Sequence, residues 1–173
     1  MVELELEKTY LLKELPEGLE GNRSEIISDA FVPISAKHPV LRLRHRGNNY
    51  ELTKKQPIDD ADPSRQNEHT IQLTPEEAAA FDAVSAKRFS KRCYYCTVDG
   101  HQAEVDIYLG DLAGLAVVDF EFMTDEALQS FTMPRICLAD ITQEEALAGK
   151  KYVDLQSVLQ KYNYKPLFLQ ETN

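Results

Sequence analysis

Three stretches of this chain alternate charged with apolar residues at a period of two, and that period belongs to β-strands. Residues 2–10 read Val-Glu-Leu-Glu-Leu-Glu-Lys-Thr-Tyr. Glu3, Glu5, Glu7 and Thr9 therefore share one strand face, while Val2, Leu4, Leu6 and Tyr10 take the other, with Lys8 intruding on it. Residues 103–122 hold two further alternating runs around a Gly-Asp-Leu-Ala-Gly turn, which predicts a hairpin. Glu104 and Asp106 share a face of its first strand, and Asp119 and Glu121 share a face of its second. Val118, Phe120 and Phe122 point the opposite way. Carboxylate pairs backed by an apolar face suit a closed barrel with a polar lumen better than a sandwich, whose apolar faces fill the inside.

The third stretch, residues 40–55, carries the opposite charge. It reads as a hairpin turning at Gly47 and the two asparagines that follow. Arg42, Arg44 and Arg46 lie on one face. With a two-residue loop at Gly47 and Asn48, Arg42 opposes Thr53 and Val40 opposes Lys55, so Lys55 joins the arginine face and Lys54 leaves it. Guanidiniums crowded on one face repel one another unless an anion sits among them, and their planar fork pairs bidentately with phosphate oxygens. A basic edge strand that resists aggregation is the simpler alternative.

The charge is partitioned along the chain. Its 173 residues hold 19 Lys and Arg against 29 Asp and Glu, a net charge of −10 that argues against general nucleic-acid binding. Residues 37–55 nevertheless carry six basic side chains (Lys37 among them) and one acidic, whereas residues 99–126 carry eight acidic and no Lys or Arg. Such a chain can hold an anion and a metal together, or it can simply present two solvated faces. The length suits one domain over residues 1–173, with neither internal repeats nor a composition break. No apolar run approaches the roughly 20 residues of a membrane helix. The acidic, alternating start is unlike a signal peptide, and three cysteines cannot all pair, so a reduced cytoplasmic protein is expected.

The ordered motifs resemble the CYTH superfamily, the triphosphate tunnel metalloenzymes named for a bacterial class of adenylyl cyclase and for thiamine triphosphatase. Its opening Glu-x-Glu-x-Lys strand is matched by Glu5, Glu7 and Thr9. Its Arg-x-Arg and Leu-Thr-x-Lys are matched by Arg42, Arg44 and Leu52 to Lys55. Its later hairpin is matched by Glu104 and Asp106, then Gly110, Leu112, Gly114 and Leu115, then Asp119 and Glu121. Asp140, Ile141 and Thr142 also resemble the small bacterial members. The resemblance implies an α+β fold: an eight-stranded antiparallel β-barrel whose lumen is a tunnel, with helices packed outside. Helices are expected at residues 75–85, after the N-cap Thr74, and at 125–131 and 154–162.

By the same resemblance, Glu5, Glu7, Glu104, Asp106, Asp119 and Glu121 would hold Mg²⁺ or Mn²⁺, for which hard carboxylate oxygens are suited. Arg42, Arg44 and Lys55 would bind the triphosphate, with Arg46 beside them near the turn. Lys91 and Arg92 are the candidate catalytic cations, because the family places Lys-x-Arg on the strand after the first helix. The activity implied is metal-dependent hydrolysis of inorganic triphosphate or a nucleoside triphosphate. Adenylyl cyclase, thiamine triphosphatase and a non-catalytic polyphosphate- or nucleotide-binding module are the alternatives. No nucleic-acid or membrane partner is implied, and a homodimer is allowed.

Departures from the pattern cluster in the expected lining. Thr9 replaces a lysine. Cys93 stands where Lys-x-Arg would place its arginine, unless the register differs. Phe31 occupies the place of a tyrosine that some family triphosphatases pair with a lysine, and Glu68-His-Thr70 stands for a Glu-x-Glu. Cys93 and Cys96 form a C-x-x-C in a β-like stretch, which argues against redox or zinc chemistry. The four histidines show no ligand spacing. Residues 57–67, rich in Pro and Asp, read as a flexible loop at a tunnel mouth.

Overall fold

The first strand, β1 (Val2–Leu12), is long enough to serve as the seam of a closed sheet. In the computed structural model, which describes residues 2–32, 41–59, 62–85, 88–144 and 155–169, its start pairs antiparallel with β5 (Asp62–Leu73) through Val2↔His69 to Leu6↔Arg65. Its second half pairs on the other side with β8 (Ala116–Glu121), from Glu7↔Glu121 to Leu11↔Val117. Between them run β2 (Ser24–Val32), β3 (Leu41–Arg46), β4 (Asn49–Asp59), β6 (Phe89–Val98) and β7 (His101–Tyr108), in the order β5-β4-β3-β2-β6-β7-β8-β1. The β5–β1 pairing closes an eight-stranded antiparallel barrel, as the alternation predicts. A ninth short strand, β9 (Cys137–Asp140), extends the sheet beside Tyr10–Leu12, on the edge that β5 leaves uncovered.

Turn chemistry sets the registers. Gly47, at φ 60°, supplies the left-handed first position of the two-residue β3–β4 turn, and the register Arg42↔Thr53 and Arg44↔Glu51 follows. Val40 lies outside the described residues. The 57–67 stretch is not the expected loop: Gln56↔Asn67 and Pro57↔Gln66 are strand pairs, with an irregularity before Asp59↔Asp62. β5 must reach residue 65 to close against β1, so the hairpin has to extend that far.

Apolar side chains line the outer wall. Tyr10, Val105, Val118 and Phe120 are at most 2% exposed and pack under Phe122, Phe131 and Leu167. Helix α1 (Pro75–Asp82) opens with a reciprocal cap, Glu77 N donating to Thr74 Oγ1 (3.2 Å) and Thr74 N to Glu77 Oε2 (2.8 Å). It lays Ala78 and Phe81 against Leu43 and Leu73. Helix α2 (Asp125–Ser130) packs beside β1. Helix α3 (Leu155–Tyr162) gives Val158 to a cluster with inward-facing Leu11, Phe31, Phe89, Tyr108 and Val117, an apolar plug at one end of the lumen. The tail after α3 docks on Gly114, whose carbonyl accepts from Leu167 N and Tyr164 Oη, both at 2.9 Å. A Cβ there would meet Pro166 at 2.8 Å, and φ is +97°, so the turn needs glycine.

A bipolar lumen as candidate active site

Strand alternation and the registers above turn Glu5, Glu7, Thr9, Arg42, Arg44, Arg46, Lys55, Lys91, Glu104, Asp106, Asp119 and Glu121 toward one cavity of about 180 Å³. Eleven of the twelve candidate site residues therefore line a common lumen. Arg92 does not. Neighbouring residues on a strand face opposite ways, so Lys91 and Cys93 point inward while Arg92 points out toward Ser24, 3.5 Å from its hydroxyl. Cys93, completely buried, takes the inward position where the resemblance expects an arginine, and Arg92 is not a catalytic candidate. Cys96, three residues on, packs in the outer cluster, so the C-x-x-C thiols lie on opposite faces.

One wall is acidic. Single carboxylate oxygens of Glu5, Glu7 and Glu121 lie within 4.8 Å of one another, a spacing that suits a shared cation. Lys55 Nζ reaches the same wall, 2.6 Å from Glu5 Oε2, 3.3 Å from Glu7 Oε2 and 3.6 Å from Glu68 Oε2. Burial, reinforced by Glu7 and Glu68 against the pull of Lys55, pushes the Glu5 carboxyl up to about 7. For Glu7 burial acts the same way, but the ammonium of Lys55, with Arg42 and Lys91, outweighs it and holds the group below its ordinary value. Asp119 is raised well above its usual range by burial and then by Glu7 and Asp106. The hydroxyl of Thr9, opposite it in register, donates to its Oδ1 at 2.6 Å. A serviceable hydrogen bond thus stands where the resemblance expects a lysine.

The other wall is basic and internally braced. Arg44 donates through Nε and Nη2 to the two oxygens of Asp29, each at 2.9 Å. Arg42 Nη1 lies 3.6 Å from the same carboxylate. Lys91 Nζ pairs with Asp106 Oδ2, and both are almost wholly buried. Asp106 Oδ1 is buried with no hydrogen-bond partner among the described residues. Arg46, nearer the turn and a third exposed, is 3.4 Å from Glu25. Glu104 accepts from the Cys93 thiol at 3.6 Å. Glu104, Asp106 and Asp119 line the lumen without joining the Glu5, Glu7 and Glu121 group.

Two lining or supporting residues, Asp29 and Tyr108, escape the sequence reading, and a third, Glu68, enters it only within a departure from the family pattern. Asp29 shows itself only as an acidic residue between Ile27 and Phe31 on the inward side of β2, a side that also carries Glu25. Tyr108 continues the alternation of Glu104 and Asp106 and could have been read from it. Glu68 faces the lumen across from Lys55 in register. In all, five cationic side chains face seven carboxylates, so a polyanion enters against a net negative wall unless further cations accompany it.

No protein-family model matches the chain. It is 26% identical over 148 residues to an inorganic triphosphatase of Nitrosomonas europaea, spanning 84% of this chain and 94% of that one. Among solved structures, a crystal structure of an inorganic triphosphatase superposes with a TM-score of 0.61 at 23% identity, covering 87% of this chain and 94% of the other. A candidate adenylate cyclase from Bacillus halodurans superposes at 0.56 with 13% identity, over 98% of this chain and 95% of that. Over nearly its full length the chain is thus similar in sequence to an inorganic triphosphatase, and it shares its fold with these two solved structures.

Proposed function

We propose that this chain is a divalent-metal-dependent triphosphatase that hydrolyses inorganic triphosphate or a nucleoside triphosphate inside the barrel. The observation that carries the reading is the pairing, in one cavity, of a carboxylate group spaced for a cation with a braced set of guanidinium and ammonium donors. The Nitrosomonas europaea relative, an inorganic triphosphatase, supports the same activity here.

The donor set fits Mg²⁺ or Mn²⁺. Glu5, Glu7 and Glu121 offer hard oxygen ligands only, and with one oxygen of each within 4.8 Å of the others they could share a single cation. When bound, such an ion polarises phosphoryl oxygens and offsets the negative wall. The chain's own residues supply the rest. Arg42 and Arg44 present donors to the equatorial oxygens of the phosphates, and Lys91 adds an ammonium deeper in the lumen. Phosphoryl transfer calls for placement and charge neutralisation more than covalent help, and these groups provide both in a lumen that the apolar plug closes at one end. Lys55 sits between the walls and can turn from Glu5 toward a phosphate oxygen.

Thr9, Phe31 and Cys93 replace a lysine, a tyrosine and an arginine of the family pattern. A module that binds polyphosphate or nucleotide without efficient turnover is the second reading, and these replacements favour it. Phosphate release from triphosphate, ATP, thiamine triphosphate and long-chain polyphosphate, each with Mg²⁺ or Mn²⁺, separates the two. Rapid release from triphosphate supports hydrolysis. Tight binding of all four without release establishes the module, and cyclic AMP formed from ATP would establish the cyclase. The chain is proposed to work in the cytoplasm on a small-molecule substrate; among the described residues no helix is long and apolar enough to cross a membrane.

A further inference from the structure

We infer that Asp29 is a positioning residue for the phosphate-binding arginines: its buried carboxylate locks the Arg44 guanidinium, and steadies that of Arg42, in the orientation that receives the triphosphate. The inference rests on the proposed function and concerns a residue outside the set that the sequence motifs pick out.

The geometry is specific. Asp29 on β2 stands directly across from Arg44 on β3, in the Asp29↔Arg44 register pair, and is 1% exposed. Both carboxylate oxygens accept from one guanidinium, Nε to Oδ1 and Nη2 to Oδ2 at 2.9 Å each, the fork-to-fork arrangement that fixes a guanidinium plane as well as its position. Two of the five N–H groups of Arg44 are spent on Asp29, which leaves three for a ligand in the cavity that Arg44 lines. Arg42, two residues along the same face, brings Nη1 to 3.6 Å from Asp29 Oδ2. A single buried carboxylate thus relieves the repulsion between two neighbouring guanidiniums and removes the rotamer freedom that a phosphate would otherwise have to suppress on binding. The pair holds its charges at any working pH, since the two arginines outweigh burial and keep Asp29 far below its ordinary value.

The sign of one substitution discriminates. A carboxylate near a phosphate site repels the ligand, so if Asp29 acted through charge alone, Asp29→Asn would tighten binding. If it acts by positioning, Asp29→Asn weakens binding although the site has become more positive. The probe is diimidotriphosphate, the nitrogen-bridged analogue of triphosphate, titrated calorimetrically in the presence of Mg²⁺. We expect about tenfold weaker binding by Asp29→Asn, and no further loss when the same change is made in Arg44→Ala, because the effect passes through that guanidinium. Mn²⁺ binding without the analogue, read by electron paramagnetic resonance, should be unchanged in Asp29→Asn, which a general loosening of the barrel would not allow. Should Asp29→Asn fail to fold, Arg44→Lys keeps the charge and gives up the fork, and the same weakening is expected. Equal or tighter analogue binding by the tested variant, or an undiminished Asp29→Asn effect in Arg44→Ala, overturns the inference. A wild-type protein that does not bind the analogue overturns the proposed function instead.

Discussion

Replacing Lys55 by Met keeps the length of the side chain and removes an ammonium that touches three carboxylates of the acidic wall. Its Nζ lies 2.6, 3.3 and 3.6 Å from Glu5, Glu7 and Glu68, and its side chain is 18% exposed. Breaking a buried ion pair from one side costs about 3–5 kcal/mol, because the partner charges are left uncompensated. For a chain of this size each kcal/mol moves the Tm by about 2–4 °C, so Lys55→Met should melt roughly 6–20 °C below wild type at about pH 8 in chelator. A divalent ion would occupy the oxygens that the ammonium leaves. At about 100 times its Kd it adds roughly 2.7 kcal/mol, and in the variant it no longer competes with Lys55. Thermal unfolding of both proteins with and without Mn²⁺ is the assay, and the variant should gain more from the metal than wild type does. If wild type gains as much or more, Lys55 and the cation do not share a site and the reasoning fails.

Other outcomes follow from the same lumen. Glu5 titrates at about 7 against 4.5 in an unfolded chain, so the folded state holds an extra proton; this contribution is complete below pH 4.5 and lost as pH climbs through 7. The Tm of chelator-treated protein should therefore fall between about pH 5 and pH 8, and fall less in Glu5→Gln, whereas equal slopes would count against the placement of Glu5. Arg42→Ala should weaken triphosphate binding by roughly 10- to 150-fold, the equivalent of about 1.5–3 kcal/mol, while Arg92→Ala and Lys54→Ala on the outer wall change it little. Equal, small losses in all three, read by calorimetry, would indicate diffuse attraction in place of a built site. Thr9→Val removes the 2.6 Å bond to half-buried Asp119 and should cost about 1–3 kcal/mol in urea denaturation; an unchanged midpoint would show that the bond is not formed.

What could be read in advance was what period two controls. Glu104, Asp106, Asp119 and Glu121 each have an apolar neighbour that must face the outer core, so their inward direction follows from burial of residues such as Val118 and Phe120. The β3–β4 register followed from Gly47 in the same way. Properties set by distant partners were not legible. The 57–67 stretch carries loop composition, yet β1 recruits it into the sheet because closure demands a partner for residues 2–6. β9 is four residues long and exists because β5 diverges from β1. Arg92 faces out and Cys93 takes the arginine's inward place, a one-residue question of phase that motif matching leaves open. Asp29 carries no motif, and its importance appears only when β3 brings Arg44 opposite it.

The central claim is that the two walls work together on a triphosphate only when a divalent ion is present. Phosphate release from inorganic triphosphate, measured for wild type and for Glu7→Gln with Mg²⁺ or Mn²⁺ and again in excess EDTA, tests it most directly. The account predicts release by wild type with metal, none in EDTA, and a loss of at least tenfold in Glu7→Gln at unchanged fold. Full release by wild type in EDTA, or by Glu7→Gln with metal, would contradict it.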